Sequence, residues 1–246
     1  MTTLESLPGA DGNFMVGLLG GFGLFWGNAL LNVPRASQRL IAFLALNGGR
    51  GSRATVAGML WPDASEQHAY YNLRAALARL QCTARKALVA SKLELGLANG
   101  VRVDVRHARA LARRLLDPAV TPEQSELGPA AVRVLSAELL PDWYDDWVLL
   151  EAEDWRQLRM HALEALTDRL AAAGRWGEAA GAGCAAVRAD PLRESARASL
   201  IQVHLAEGNQ SEAVREFARY QALLHVELGL EPTRRLRHLV EGLHSP

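Results

Sequence analysis

The segment Ala64 to Gln81, ASEQHAYYNLRAALARLQ, constrains the fold most. On a helical wheel Ala69, Leu73, Ala76, Leu77 and Leu80 fall on one side, so the spacing predicts a helix packed by that side. Gln67, His68, Tyr71, Arg74, Ala75, Ala78 and Arg79 fall on the other side or its edges. That outer face offers donors, cations and small residues, and no carboxylate. A helix of this kind, preceded by two shorter helices, fits the major groove of double-stranded DNA.

The preceding residues supply those helices. Pro34 opens the first, predicted over Ser37 to Leu46, and Leu40, Ile41, Phe43, Leu44 and Leu46 make it a core helix. Asn47-Gly48-Gly49 ends it. Ser52 is placed to cap a second helix over Arg53 to Leu60, Trp61-Pro62-Asp63 makes a turn, and Ser65 caps the third helix. Upstream, Phe14 to Val33 predicts short strands near 14–19, 22–26 and 29–33, with Gly20-Gly21 and Gly27-Asn28 as turns. Downstream, Leu88-Val89-Ala90, Leu93-Glu94-Leu95 and Val101 to Val105 are β-prone and separated by glycine and asparagine. They read as a hairpin after the third helix, the wing of a winged helix. Met1 to Asn13 reads as a loose tail.

Gly12 to Pro34 carries no charge for 23 residues, a length that raises the question of a membrane span. No Lys or Arg precedes it, five glycines lie between Gly17 and Gly27, and Asn28 and Asn32 sit in its second half. The expectation is strands and turns, with no membrane partner and a cytoplasmic location.

The net charge is zero, but it is unevenly spread. Residues 1–103 carry +5 and residues 104–246 carry −5. Nine cations lie between Arg35 and Lys92 against only Asp63 and Glu66. A basic first domain can neutralise phosphates and release counterions, where most DNA affinity arises. Within it, Gln67, His68, Tyr71, Asn72, Arg74 and Arg79 are the candidate readers on the third helix. Arg35, Arg39 and Arg53, near helix starts, are candidates for phosphate contact that fixes register. For Arg39 the alternative is an ion pair with the acidic half. Lys92 is the one cation at the tip of the wing.

From Val105 on, the chain reads as helical, punctuated by Pro118, Pro122, Gly128-Pro129 and Pro141. A repeat follows. Gly174, Glu178 and Ala179 recur as Gly208, Glu212 and Ala213, each 34 residues on, which is the tetratricopeptide period. Two units are too few for a free-standing stack, so helices between 105 and 170 must complete it. The acidic run Asp142, Asp145, Asp146, Glu151, Glu153 and Asp154 reads as a solvated face or as a domain or protein contact. No neighbouring histidine supports a metal there, and Trp143, Tyr144 and Trp147 suggest a packed corner. Cys82 and Cys184 are far apart, outside any metal spacing, and read as structural thiols of a reducing compartment. No GxSxG or HExxH occurs, so the expectation is no enzyme, no metal and no cofactor.

These patterns carry a resemblance. Residues 14–103 resemble the OmpR-like winged-helix domain through Leu18-Leu19-Gly20, Gln38-Arg39-Leu40, Leu60-Trp61-Pro62 and Asn72-Leu73-Arg74. Residues 104–246 resemble the bacterial transcriptional activator domain through the stretch from Leu139 to Trp147, Asp190-Pro191-Leu192-Arg193, Gly208 and the stretch from Glu227 to Pro232. Together they are similar to a small SARP-like activator. The fold class is then mainly α with a small β component: an N-terminal winged helix-turn-helix, then an all-α tetratricopeptide-like domain. The resemblance implies a transcriptional activator that binds direct-repeat promoter sites in double-stranded DNA as a homodimer and contacts RNA polymerase. Larger members add an ATPase domain; no GxxxxGK[ST] occurs in this sequence.

Overall fold

The computed structural model describes residues 13–243, so the expected tail lies outside the described residues save for Asn13. Among them are seven strands: β1 Phe14–Gly17, β2 Gly23–Trp26, β3 Ala29–Leu30, β4 Arg50–Ser52, β5 Leu88–Ala90, β6 Glu94–Leu97 and β7 Arg102–Val103. The helices are α1 Arg35–Leu46, α2 Arg53–Leu60, α3 Glu66–Ala78, α4 Cys82–Arg85, α5 Asp104–Leu116, α6 Pro129–Ser136, α7 Asp146–Ala172, α8 Trp176–Ala189, α9 Glu194–Glu207, α10 Gln210–Leu228 and α11 Arg234–Val240. The fold is mainly α with two small sheets, as the sequence predicts.

The chain forms two compact units. One holds the described residues up to His107 together with Glu138–Asp154; the other holds Ala108–Ala137 and the described residues from Trp155 on. The assignment of 138–154 to the first unit has a clear cause. Leu19 bridges Leu139, and the Leu140 N–H donates to the Leu18 carbonyl at 2.9 Å. Leu139, Leu140, Trp143, Trp147 and Val148 are all buried. The Phe43 ring meets Trp147 edge-on, and Phe22 stacks on Trp143. Trp143 and Trp147 form the expected packed corner, but Tyr144 between them is 81% exposed.

In the first unit, one sheet runs β3-β2-β1-β7 and the other β4-β6-β5. The strand pairing corrects the reading of the wing in two places. Val101 to Val105 does not extend the hairpin. Asn99-Gly100 turns the chain away, with Gly100 in the left-handed region at φ 84°, and β7 pairs parallel with β1, Met15 opposite Arg102. The third strand of the wing sheet is instead β4, antiparallel to β6 with Gly51 opposite Leu95. β4 is only Arg-Gly-Ser, and it lacks the apolar alternation that marks a strand in sequence.

Helix α1 buries Ser37 and every residue from Leu40 to Leu46, and so forms the floor of this unit. It begins at Arg35, two residues before the expected start, with Pro34 extended ahead of it. In the second unit Gly174 and Gly208, at φ 71° and 90°, end helices in the left-handed region, and Ala179 and Ala213 are fully buried at the start of α8 and α10. The 34-residue period is therefore a repeat of helix end, turn and close-packed helix start. Ile201, Ala213, Tyr220, Leu224, Leu236 and Val240 form a core shared by α9, α10 and α11.

Candidate nucleic-acid interface

Helix α3 is held by three devices. Ser65 caps it, its hydroxyl oxygen accepting the His68 N–H at 3.5 Å. Ala69, Leu73, Ala76, Leu77 and Leu80 are buried, so the predicted apolar side packs inward. The fully buried Ser37 donates its hydroxyl to the Ala76 carbonyl at 2.7 Å, which fastens α3 to α1. Sequence reading does not single out Ser37: a lone serine on a core helix carries no distinguishing spacing.

These contacts turn the opposite face to solvent. Gln67, Tyr71, Arg74 and Ala78 recur at four-, three- and four-residue steps, one stripe of the helix, and all are exposed. His68 and Arg79 are exposed on its flank, and Asn72 is half-buried at its edge. The His68 Nδ1 lies 2.8 Å from the Ser65 hydroxyl, so this ring belongs to the cap. The side chains of Arg74, Arg79 and Lys92 have no ion-pair or hydrogen-bond partner among the described residues. The stripe carries no carboxylate; Glu66 lies in the first turn, off its line, where a negative charge suits the helix dipole.

The cations near helix starts are placed differently. Arg35 is exposed at the first turn of α1, its guanidinium 4.1 Å from the Trp143 ring centroid. Arg39 forms the ion pair that is its alternative reading. Its Nε donates to the Asp145 carboxylate at 3.0 Å, and its Nη2 donates to the Leu60 carbonyl at 2.8 Å. Its charge is thus matched inside this unit. Arg53 is partly buried at the start of α2, and its Nε donates to the Ser91 carbonyl at 2.8 Å. Lys92 is exposed at the β5–β6 turn. Arg50, Arg85 and Lys86 are further exposed cations of this unit that the sequence reading leaves unassigned. The only signal for them was the positive excess between Arg35 and Lys92.

Among the described residues no group of three His, Cys, Asp or Glu side chains is placed so that it could hold a metal ion. No helix among them is long and apolar enough to cross a membrane.

Comparison with known proteins adds two findings. The family model for the bacterial transcriptional activator domain matches residues 101–244. The fold is similar to that of EmbR from Mycobacterium tuberculosis, solved in complex with a low affinity phosphopeptide, at 22% identity and a TM-score of 0.59. The match covers 94% of this chain and 65% of the EmbR chain, so this chain spans about two-thirds of that protein. No curated protein matches.

Proposed function

Because this chain belongs to the bacterial transcriptional activator domain family, we propose that it is a sequence-specific DNA-binding activator, with α3 docked in the major groove. The observation that carries the reading is the exposed stripe of Gln67, Tyr71, Arg74 and Ala78, backed by a fully buried opposite side. A glutamine can pair bidentately with adenine and an arginine with guanine, and Ala78 lets the helix approach closely. Residues 14–103 are the duplex-reading part and residues 104–246 the activator part. Two copies bind side by side on direct repeats and recruit RNA polymerase. The effect on transcription then comes from a binding equilibrium and involves no chemical step.

The test is selection of bound fragments from the host's genomic DNA, followed by titration of the best fragment at two salt concentrations. A recurring direct repeat with a steep salt dependence is the expected result. Weak binding to any DNA, with no enriched sequence, sinks the reading and leaves the helical repeat unit as the working part of a protein-interaction module.

A further inference from the structure

The turn between β5 and β6 is built more firmly than its sequence, Ser-Lys-Leu-Glu, suggests. The Ser91 hydroxyl oxygen accepts the N–H groups of Leu93 at 3.2 Å and Glu94 at 2.9 Å. The Ser91 N–H donates to the Glu94 carbonyl at 2.9 Å. Two further bonds come from outside the hairpin, and both are made by Arg53. Its backbone N–H donates to the Leu93 carbonyl at 2.8 Å, and its Nε donates to the Ser91 carbonyl at 2.8 Å. Arg53 is the first residue of α2, the helix that Ser52 caps and that packs on α3. The backbone of the wing tip is therefore tied on both sides of Lys92 to the helix-turn-helix.

That anchoring leaves two side chains free at the tip. Lys92 is exposed, and Leu93 is 77% exposed, among the most exposed large apolar residues of the described chain. A flexible tip would bury such a leucine or pay entropy to order it on binding. A tip pinned by these hydrogen bonds presents it ready-formed.

We infer that Arg53 is a positioning residue for the wing, and that the wing tip touches the duplex through Leu93 as an apolar contact, with Lys92 on phosphate beside it. The inference rests on the duplex-binding reading above. It reassigns Arg53 from phosphate contact to strut, since its Nε is spent on Ser91. Leu93 packs against sugar faces flanking the site of α3, a contact that releases no counterion. Wing and reading helix move as one body because Arg53 joins the wing tip to the helix that supports α3.

The experiment is a double-mutant cycle on the full chain with its selected DNA fragment, each variant first shown to melt like the wild type. Leu93→Ala removes the apolar contact. Arg53→Met keeps the stem and the backbone bond but loses the Nε donor. Arg53→Lys keeps the charge but not the bond geometry. Each of Leu93→Ala and Arg53→Met should weaken binding about three- to tenfold, for loss of a few buried methylenes; the salt slope should stay unchanged in Leu93→Ala and fall by no more than the single Lys92 contact in Arg53→Met. The double variant should be little worse than either single one. Arg53→Lys should remain weak. Multiplying losses overturn the coupling. Rescue by Arg53→Lys, with a slope steeper than that of Arg53→Met by about 0.9, makes Arg53 a phosphate contact and overturns the strut. A wild type that enriches no sequence fails at the earlier step and takes this inference with it, a result distinct from binding with an additive cycle. Hydrogen exchange supplies a DNA-free check: the Leu93 and Glu94 amides should lose protection in Arg53→Met, and unchanged protection overturns the strut.

Discussion

Arg197 on α9 and Glu216 on α10 form an ion pair, Nη1 to Oε2 at 2.5 Å, in which both side chains are about nine-tenths buried. Glu216 also receives Arg219, whose own side chain is 64% exposed. The Arg197 guanidinium lies 5.9 Å from the Tyr220 ring centroid, and its Nε finds no acceptor among the described residues. Taking both charges out of water costs several kcal/mol, which their attraction roughly offsets. Removing one partner is different, because the other is left buried and alone. Glu216→Leu should therefore lower unfolding free energy by about 3–5 kcal/mol. Arg197→Leu with Glu216→Leu should recover most of that loss. Urea denaturation of the three chains measures it, and a double variant no better than Glu216→Leu would contradict the account.

Asp104 joins the end of β1 to the start of α5. Its carboxylate accepts the N–H groups of Leu18 at 2.9 Å, Leu19 at 3.0 Å and Val105 at 2.6 Å. Burial is the largest influence on its ionisation and pushes the carboxyl above its ordinary 3.8, while the three N–H donors pull it back. A carboxyl with a raised folded pKa binds its proton more tightly in the folded chain. Its contribution to stability is full below about 3.8 and is lost as pH rises through the folded value. Asp104→Asn removes this titration. The stability of the wild type relative to Asp104→Asn should fall as pH climbs through that window, read from denaturant midpoints at stepped pH. At neutral pH the variant should still be the weaker by about 1–2 kcal/mol, since one amide oxygen replaces two carboxylate oxygens as acceptors. A gap that widens with rising pH would show that the donors outweigh burial.

Gly208 closes α9 at φ 90°, and the Asn209 N–H after it returns to the His204 carbonyl at 2.7 Å. A Cβ built there would meet nothing within 4 Å, so a substitution changes backbone strain alone. Gly208→Ala should cost about 1 kcal/mol, and Gly208→Asn less, because asparagine tolerates the left-handed region. Thermal melting should place the alanine variant about 3 °C below wild type. Equal melting of all three would mean that α9 can end without the left-handed turn.

Much of this fold is legible in sequence where the signal is local. Helices α1 to α3 show because apolar residues recur at helical spacing and Pro34, Ser52 and Ser65 stand ahead of them in turn. The 34-residue repeat shows because Gly208 needs a conformation few residues adopt and Ala213 a space few residues fit. The misses are long-range. β7 pairs parallel with a strand almost 90 residues earlier, and nothing in Arg102-Val103 names that partner. Likewise the carboxylate that pairs with Arg39 lies 106 residues away, and no spacing rule names it. Arg53 sits where a phosphate contact is expected, yet its Nε reaches the wing, and no spacing rule connects residues 53 and 91.

Arg74 and Arg39 should respond oppositely to substitution. Arg74 stands exposed on the stripe of α3 with no partner among the described residues, so its guanidinium is available to a base edge. Arg39 is held by Asp145 and the Leu60 carbonyl. Arg74→Ala should weaken binding to the selected site by ~1–3 kcal/mol, relax preference at one base position, and leave the melting temperature unchanged. Arg39→Gln should leave affinity and salt slope near wild type while lowering stability, because Asp145, four-fifths buried, loses its partner. Binding titrations at two salt concentrations, run beside thermal melts, separate the two. Were Arg74→Ala to lose the same factor on every sequence, with a slope shallower by about 0.9, Arg74 would be a phosphate contact and base reading would fall to Gln67 and its neighbours. Were Arg39→Gln to flatten the salt slope, the ion pair with Asp145 would have to open on the duplex.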